Sequence, residues 1–407
     1  MYLCSRENHK LPPPIRFKGY DGEWIKKQLC ECLDISNERN TENLYGIEDV
    51  LSVSDDYGVM NQIELLGRSY AGKSVSNYGV LKTNEIVYTK SPLRAKPFGI
   101  IKENTGRAGI VSVLYAVYQA KQGVLPSYIH FYFDPAWRLN DYMRPLVNKG
   151  AKNTMNISDE MALTGYIKIP PTIEEQQRIA NFFQGIDSQI TTEEKQLERL
   201  KQMKSACLRS MFPQNGGGNL PLIRFKKYGE AWILHTFSDI AERVSASGKS
   251  GLLPGIEFED IISGQGELNK NVYEKKCIKS GNMFKKDDVL FGKLRPYLKN
   301  ILLATFEGVA IGDFWVLRPK DVEPYLLYLL VSSEQFMEVA NISSGSKMPR
   351  ADWNLVSKSQ FLLPASYAEQ KRIASFFRSL DSKISLQTQR IEKLKQLKTA
   401  CLSRMIA

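Results

Sequence analysis

Residues 174–211 read EEQQRIANFFQGIDSQITTEEKQLERLKQMKSACLRSM, and residues 368–405 read AEQKRIASFFRSLDSKISLQTQRIEKLKQLKTACLSRM. The two stretches align without a gap, 194 residues apart, with roughly half of the positions identical. Gln176 matches Gln370, Arg178 matches Arg372, Phe182-Phe183 match Phe376-Phe377, and Asp187 matches Asp381. A repeat of this length sets the fold before any single element is assigned. In the first copy Ile190, Leu197, Leu200, Met203, Cys207 and Met211 recur at spacings of three, four and seven. In the second, Ile384, Ile391, Leu394, Leu397, Cys401 and Met405 do the same. Such spacing marks one apolar stripe on a long helix. The opposite faces carry Arg199, Lys201, Lys204 and Arg209, and Lys393, Lys395, Lys398 and Arg404. Two like stripes cover each other, and an antiparallel pair relates them by a pseudo-twofold axis. The expected seam is Ile190, Leu197, Leu200, Cys207 and Met211 against Ile384, Ile391, Leu394, Cys401 and Met405. The alternative packs each helix on its own globular unit.

Working outward, Pro170-Pro171-Thr172 precedes Glu175, a capping-box spacing at a helix start. Asp187 and Asp381 are placed to cap a second, longer helix in each copy. The repeat continues beyond the helices. PIRFKGYDGEW at 14–24 matches LIRFKKYGEAW at 222–232, and NEIVYTK at 84–90 matches DDVLFGK at 287–293. YIHFYF from Tyr128 parallels YLLYLL from Tyr325, Gly150-Ala151-Lys152 parallels Gly345-Ser346-Lys347, and Pro170 parallels Pro364. YLLYLL follows Pro324 and reads as a helix start, so both segments are read as helices. PQNGGGNLP at 213–221 links the halves. The expected division is 1–170, a first globular domain; 171–214, a helical region; 215–364, a second globular domain; and 365–407, a second helical region. The fold class is α/β (α+β) in tandem duplication.

Composition narrows the partners. The chain has 407 residues, 43% hydrophobic, with a formal net charge of +11. The cationic excess favours polyanions. No run of about 18 apolar residues suggests a membrane span. Six cysteines and three histidines in this length suggest neither a disulfide framework nor a zinc site. No metal site and no membrane contact are expected, and the thiols are expected to be reduced and cytoplasmic.

Two stretches fit catalytic motifs. GRSYAGKS at 67–74 fits the phosphate-cradling G-x-x-x-x-G-K-[ST] pattern, which needs a helix opening at the lysine. Here Asn77-Tyr78-Gly79 reads as a turn and Glu85 to Thr89 alternates as a strand, so an ATPase is not expected. Asp260 with Glu274-Lys275-Lys276 loosely fits a magnesium nuclease spacing, but the first half has no equivalent. There is no Gly-rich loop for S-adenosylmethionine and no Asn-Pro-Pro-aromatic site for base methylation.

Basic residues beside aromatics and turns are the stronger signal. The first unit offers Arg68, Lys73, Lys90, Arg94, Lys96, Arg107 and Lys152 as DNA-binding candidates. The second offers Lys249, Lys293, Arg295, Tyr297, Lys347 and Arg350, densest in GKLRPYLK at 292–299 and GSKMPRADW at 345–353. Lys and Arg neutralise phosphates, and Arg also reads base edges.

With its duplicated Q-x-RIA-x-FF…LK-x-x-K-x-ACL helices, its RF…W openings and GKLRPY, nearly the whole chain resembles the specificity subunits of type I restriction-modification systems. The first unit departs from the pattern, with SPLRAKP at 91–97 in place of RPY. The resemblance implies two target-recognition domains, each reading one half of a bipartite DNA sequence. It implies a central antiparallel coiled coil around which two modification (adenine methyltransferase) subunits and restriction/translocase subunits assemble on double-stranded DNA. S-adenosylmethionine, ATP and Mg would sit on those partners and no cofactor on this chain, a non-catalytic subunit. A helix over 187–211 would span roughly 37 Å, close to the 34–36 Å of one turn of DNA. The competing reading is a tandem-domain scaffold without DNA function.

Overall fold

A computed structural model describes residues 13–92, 96–149, 155–213, 220–251, 253–274, 278–342 and 348–406. The chain divides into two compact units, 1–193 with 390–407, and 194–389. This division does not set the helical regions apart as the expected boundaries do. Each long helix is instead cut near its middle, and its far half belongs to the other unit.

The two long helices are Ile173–Met211 and Tyr367–Met405, 39 residues each and unbroken. The expected break at Asp187 and Asp381 is not there. Neither aspartate caps a helix; each lies mid-helix and takes an ion pair. Lys398 Nζ lies 2.8 Å from Asp187 in the first unit, and Lys204 Nζ lies 2.5 Å from Asp381 in the second. Arg390 pairs with Glu193 at 2.9 Å. The first helix ascends from Asp187 to Glu193 as the second descends from Lys398 to Arg390, so the two run antiparallel. The fold is a tandem duplication of α/β units on an antiparallel helical pair, as the repeat implied.

Of the seam positions, Ile190, Met211, Ile391 and Met405 are buried. Leu197, Leu200, Cys207, Ile384, Leu394 and Cys401 are half-buried. Met203 and Leu397, on the same stripes, are exposed. The ends of the helices bury most. Leu402, Met405 and Ile406 enter the first unit's core, and Met211 and Phe212 enter the second's.

In each unit a four-stranded antiparallel sheet carries the core. The first orders Leu33–Ile35, Tyr115–Ala120, Ile86–Thr89 and Ile101–Glu103. The second orders Ala241–Val244, Phe314–Pro319, Val289–Gly292 and Ile301–Leu303. Their central strands, IVYT and VLFG, are buried along their whole length, the continuous apolar run of a covered sheet. The YIHFYF and YLLYLL segments are helices, Pro126–Phe133 and Pro324–Ser332, each with proline in its first turn.

Their register differs by one from the sequence match. Gln176 Oε1 accepts from Leu125 N at 2.9 Å, and Gln370 Oε1 accepts from Glu323 N at 3.0 Å. Leu125 therefore corresponds to Glu323, and Pro126 to Pro324. His130 then corresponds to Tyr328 and Asp134 to Ser332.

A second equivalence ties each unit's opening to its long helix. Arg16 donates twice to Glu175, at 2.6 and 2.7 Å, and Arg224 donates twice to Glu369, at 2.7 Å each. Phe17 packs edge-on against Phe182 at 5.8 Å, and Phe225 against Phe376 at 6.0 Å. Only half of the expected capping box forms. Thr172 Oγ1 accepts from Glu175 N at 3.4 Å, while the Glu175 carboxylate goes to Arg16 and to Trp24 Nε1. Trp232, the match of Trp24, packs on Phe212 instead.

Candidate nucleic-acid interface

In the second unit two separate segments build one basic cleft. The strand Val289–Gly292 runs out into Lys293 and Leu294, and Leu294 bridges Arg350 in antiparallel fashion. Arg295 N donates to Pro349 O at 2.8 Å, and Ala351 N to Lys293 O at 2.9 Å. GKLRPY and MPRADW are thus stitched together by their backbones. Asp313, just before the strand Phe314–Pro319, lies between the two cations. It is 3.4 Å from Lys293 Nζ and 3.0 Å from an Arg350 nitrogen. Burial works to raise its pKa, but the Arg350 hydrogen bond and Lys293 hold the carboxyl below its usual value. Asp313 is therefore an anionic brace that fixes where both cations sit.

The cleft, about 470 Å³, is lined by Arg243, Lys293, Trp315, Arg350, Asp352, Trp353 and Asn354. Arg243 lies over the Trp353 ring at 4.9 Å, and Trp315 meets Trp353 edge-on at 5.3 Å. Arg and Asn forks read guanine and adenine edges, Lys neutralises phosphate, and an indole gives a stacking surface. Arg295 adopts a left-handed backbone, φ 50°, which opens the short turn Pro296–Leu298. That turn leaves Arg295 and Tyr297 exposed. Lys249 is exposed on the strand Ser247–Lys249. Lys347 lies outside the described residues.

The first unit brings its candidates together less. Lys90 follows its strand as Lys293 does, but is half-buried and paired with Asp159 at 2.7 Å. Arg68 is exposed with its guanidinium over Tyr70 at 4.6 Å, and Lys73 and Arg107 are exposed on separate loops. Lys96 is corrected: it is buried, with Nζ 2.6 Å from Asp55 and 2.8 Å from the Asp134 carbonyl. Its charge is spent inside the protein and is not open to a phosphate. Arg94 and Lys152 lie outside the described residues.

The catalytic motifs lose their context. Gly67 ends a short helix, Gln62–Leu66, in the left-handed conformation, and Lys73 lies in the loop that leads to the strand Gly79–Leu81. No helix opens at that lysine, as a phosphate loop requires. Asp260 is fully buried and braces a turn by accepting from Glu257 N at 2.7 Å, with Lys270 at 2.9 Å. Lys275 and Lys276 lie outside the described residues. Among the described residues no three His, Cys, Asp or Glu side chains cluster to hold a metal ion, and no helix is long and apolar enough to cross a membrane.

Sequence reasoning missed Arg243, Asp313, Trp315 and Asn354. Arg243 sits in AERV, and only pairing of that strand with Phe314–Pro319 brings it beside Trp353.

The model of the type I restriction modification DNA specificity domain matches residues 70–202 and again 257–396. The chain belongs to this family. The two matches fall on the two repeats, and the scaffold alternative, which has no use for a DNA specificity domain, is set aside. Within the family the chain is similar to the specificity subunit of the type I restriction enzyme MjaVIII of Methanocaldococcus jannaschii. The two are 24% identical over 264 residues, 59% of this chain and 61% of that relative. The match thus spans less than two thirds of the relative's length. Among solved structures the fold is similar to the S subunit of a type I restriction-modification system from M. genitalium. That likeness has a TM-score of 0.61 at 12% identity and covers 98% of this chain and 99% of that one. A chain solved in a study of type I restriction-modification complex assembly matches with a TM-score of 0.53 at 15% identity. It covers 94% of this chain and 97% of its own.

Proposed function

We propose that this chain is the DNA-recognition subunit of a type I restriction-modification complex and carries no catalytic chemistry of its own. Each globular unit reads one half of a bipartite target, and the helical pair sets the spacing between the halves. The observation that carries the reading is the backbone-stitched cleft of Arg243, Lys293, Arg350 and Asn354, in a chain that matches a DNA specificity family twice. The duplicated ion pairs Arg16–Glu175 and Arg224–Glu369 give two like helix starts, which suits two copies of one modification subunit. The relatives' names point to the same kind of assembly, with restriction subunits as further partners. In this reading S-adenosylmethionine belongs to the modification subunits, ATP and Mg to the restriction subunits, and the complex works in the cytoplasm, where the DNA is.

The test is to express the chain with its modification subunits and map methylated adenines over a random DNA library. A split motif with a fixed gap is expected. Arg350→Ala should relax one half of that motif and leave the other intact. Methylation that follows no split sequence, or that proceeds without this chain, overturns the proposal.

A further inference from the structure

Asp313 is a carboxylate set among the cations of a cleft that faces DNA in the reading above. The first unit shows that the fold does not require it. The strand registers pair Thr89 with Tyr115 in the first unit and Gly292 with Phe314 in the second. The next backbone bonds match as well. Lys90 N donates to Leu114 O at 3.4 Å, and Lys293 N donates to Asp313 O at 2.8 Å. Leu114 therefore stands in the place of Asp313, and it is exposed. By the same registers Ala116 stands for Trp315 and Ile35 for Arg243. The strand starts in the same way on an exposed leucine or on a carboxylate. What Asp313 has, and Leu114 lacks, is a pair of cations.

Its two oxygens are divided between them. Oδ1 lies 3.4 Å from Lys293 Nζ, and Oδ2 accepts from Arg350 Nη2 at 3.0 Å. The second bond uses one of the five donors of the guanidinium. Among the described residues nothing else pairs with that fork. The backbone of Arg350 is held too, by its bridge to Leu294 and by the bond from Ala351 N to Lys293 O. The fork is thus fixed at both ends and still has donors to give.

Such an arrangement favours a neutral acceptor over a phosphate. A phosphate on Arg350 would lie close to the Asp313 carboxylate, and like charges at short range repel. A base edge carries no net charge. Arg350 and Lys293 can only donate. In the major groove guanine presents two acceptors, N7 and O6, whereas adenine sets a donor beside its acceptor.

We propose that Arg350 reads a guanine in the half of the target that the second unit recognises, and that Asp313 is the positioning residue that aims it. This deepens the DNA-recognition reading and rests on it. The first unit has no such brace and reads its half by other contacts.

The experiment maps methylated adenines over a random DNA library with the chain assembled on its modification subunits. One half of the motif should hold a fixed guanine. Arg350→Lys keeps the charge and loses the fork, so the preference at that position should fall about tenfold. Asp313→Asn should lower the preference at the same position, while binding to a duplex without the target tightens, because a negative charge has left the cleft. Asp313→Leu, which borrows the first unit's residue, should act in the same sense. Amide exchange in the strand Phe314–Pro319 should stay unchanged in both Asp313 variants, and the other half of the motif should not respond. A split motif with no guanine that answers to Arg350 overturns this inference and leaves the recognition reading standing. So does a preference that survives Arg350→Lys, non-target binding that weakens in Asp313→Asn, or quickened exchange in that strand. Loss of any split motif in the unaltered complex overturns both.

Discussion

Single side chains in the first unit carry opposed pH effects, and their signs can be worked out. Burial, with Lys102 adding to it, pushes His130 down to about 3, so its imidazole is neutral and its Nδ1 accepts from Glu103 N. The unfolded chain takes up that proton below 6.5, so His130 costs stability as pH falls. Glu103 works the other way. Burial raises its carboxyl from 4.5 to about 7. The folded state holds the proton through that window while the unfolded chain releases it, so stability drops as pH rises. Glu103→Gln removes the second effect alone. It should stabilise the first unit at pH 8 by about 2 kcal/mol and give no gain at pH 4.5. Slowed amide exchange in the strand Ile101–Glu103 at pH 8 is the readout; an equal gain at both values would sink the argument. None of this was legible in the sequence. Lys96 shows why: a lysine in a basic, turn-rich stretch reads as a DNA contact, and only its burial on Asp55 says otherwise.

At the scale of elements, the long helices were the most legible part, because a stripe repeated over about six turns and written twice leaves little choice. Where that signal ends, local sequence misleads. Asp187 and Asp381 look like caps, since aspartate favours that place, but their lysines come from the antiparallel partner, 211 residues on in the first case. YIHFYF and YLLYLL slipped by one because an all-apolar run carries no phase; the prolines and the Gln176 and Gln370 bonds set it. The long-range pairs also fix an expected outcome. Lys398 serves Asp134 and Asp187 at once, and it is the second helix's own charge inside the first unit. Lys398→Met leaves a buried carboxylate short of a partner, a loss of about 3 kcal/mol. Exchange should quicken in Pro126–Phe133 and stay unchanged in Pro324–Ser332. If both helices respond alike, the pairing does not belong to one unit. A single denaturation midpoint would blur this, since a chain of two units need not unfold in one step.

For the whole molecule the question is which of its charges DNA would meet. The net charge is +11, and the sequence shows that excess without showing where it is free. Cations at Lys96, Lys102, Lys204 and Lys398 are held by carboxylates. Arg68, Lys73, Arg107 and Lys249 are exposed. The two sets predict different behaviour on duplex DNA. Each phosphate contact releases counter-ions, so log K falls with log salt by about 0.9 per contact. Arg68→Gln and Lys249→Gln should each flatten that slope by about 0.9, whatever the sequence of the duplex. Lys96→Gln should leave the slope alone and lower the stability of the first unit instead, because Asp55 loses its partner. The measurement is binding of the assembled complex to a labelled duplex by anisotropy across a salt series. A slope that falls for Lys96→Gln and not for Lys249→Gln would mean that burial has been misread as the divider between structural and DNA-facing charge. The predicted order, exposed residues changing the slope and buried ones changing the stability, follows from burial: a lysine enclosed with its aspartate inside the protein cannot reach a phosphate and displace the DNA's counter-ions.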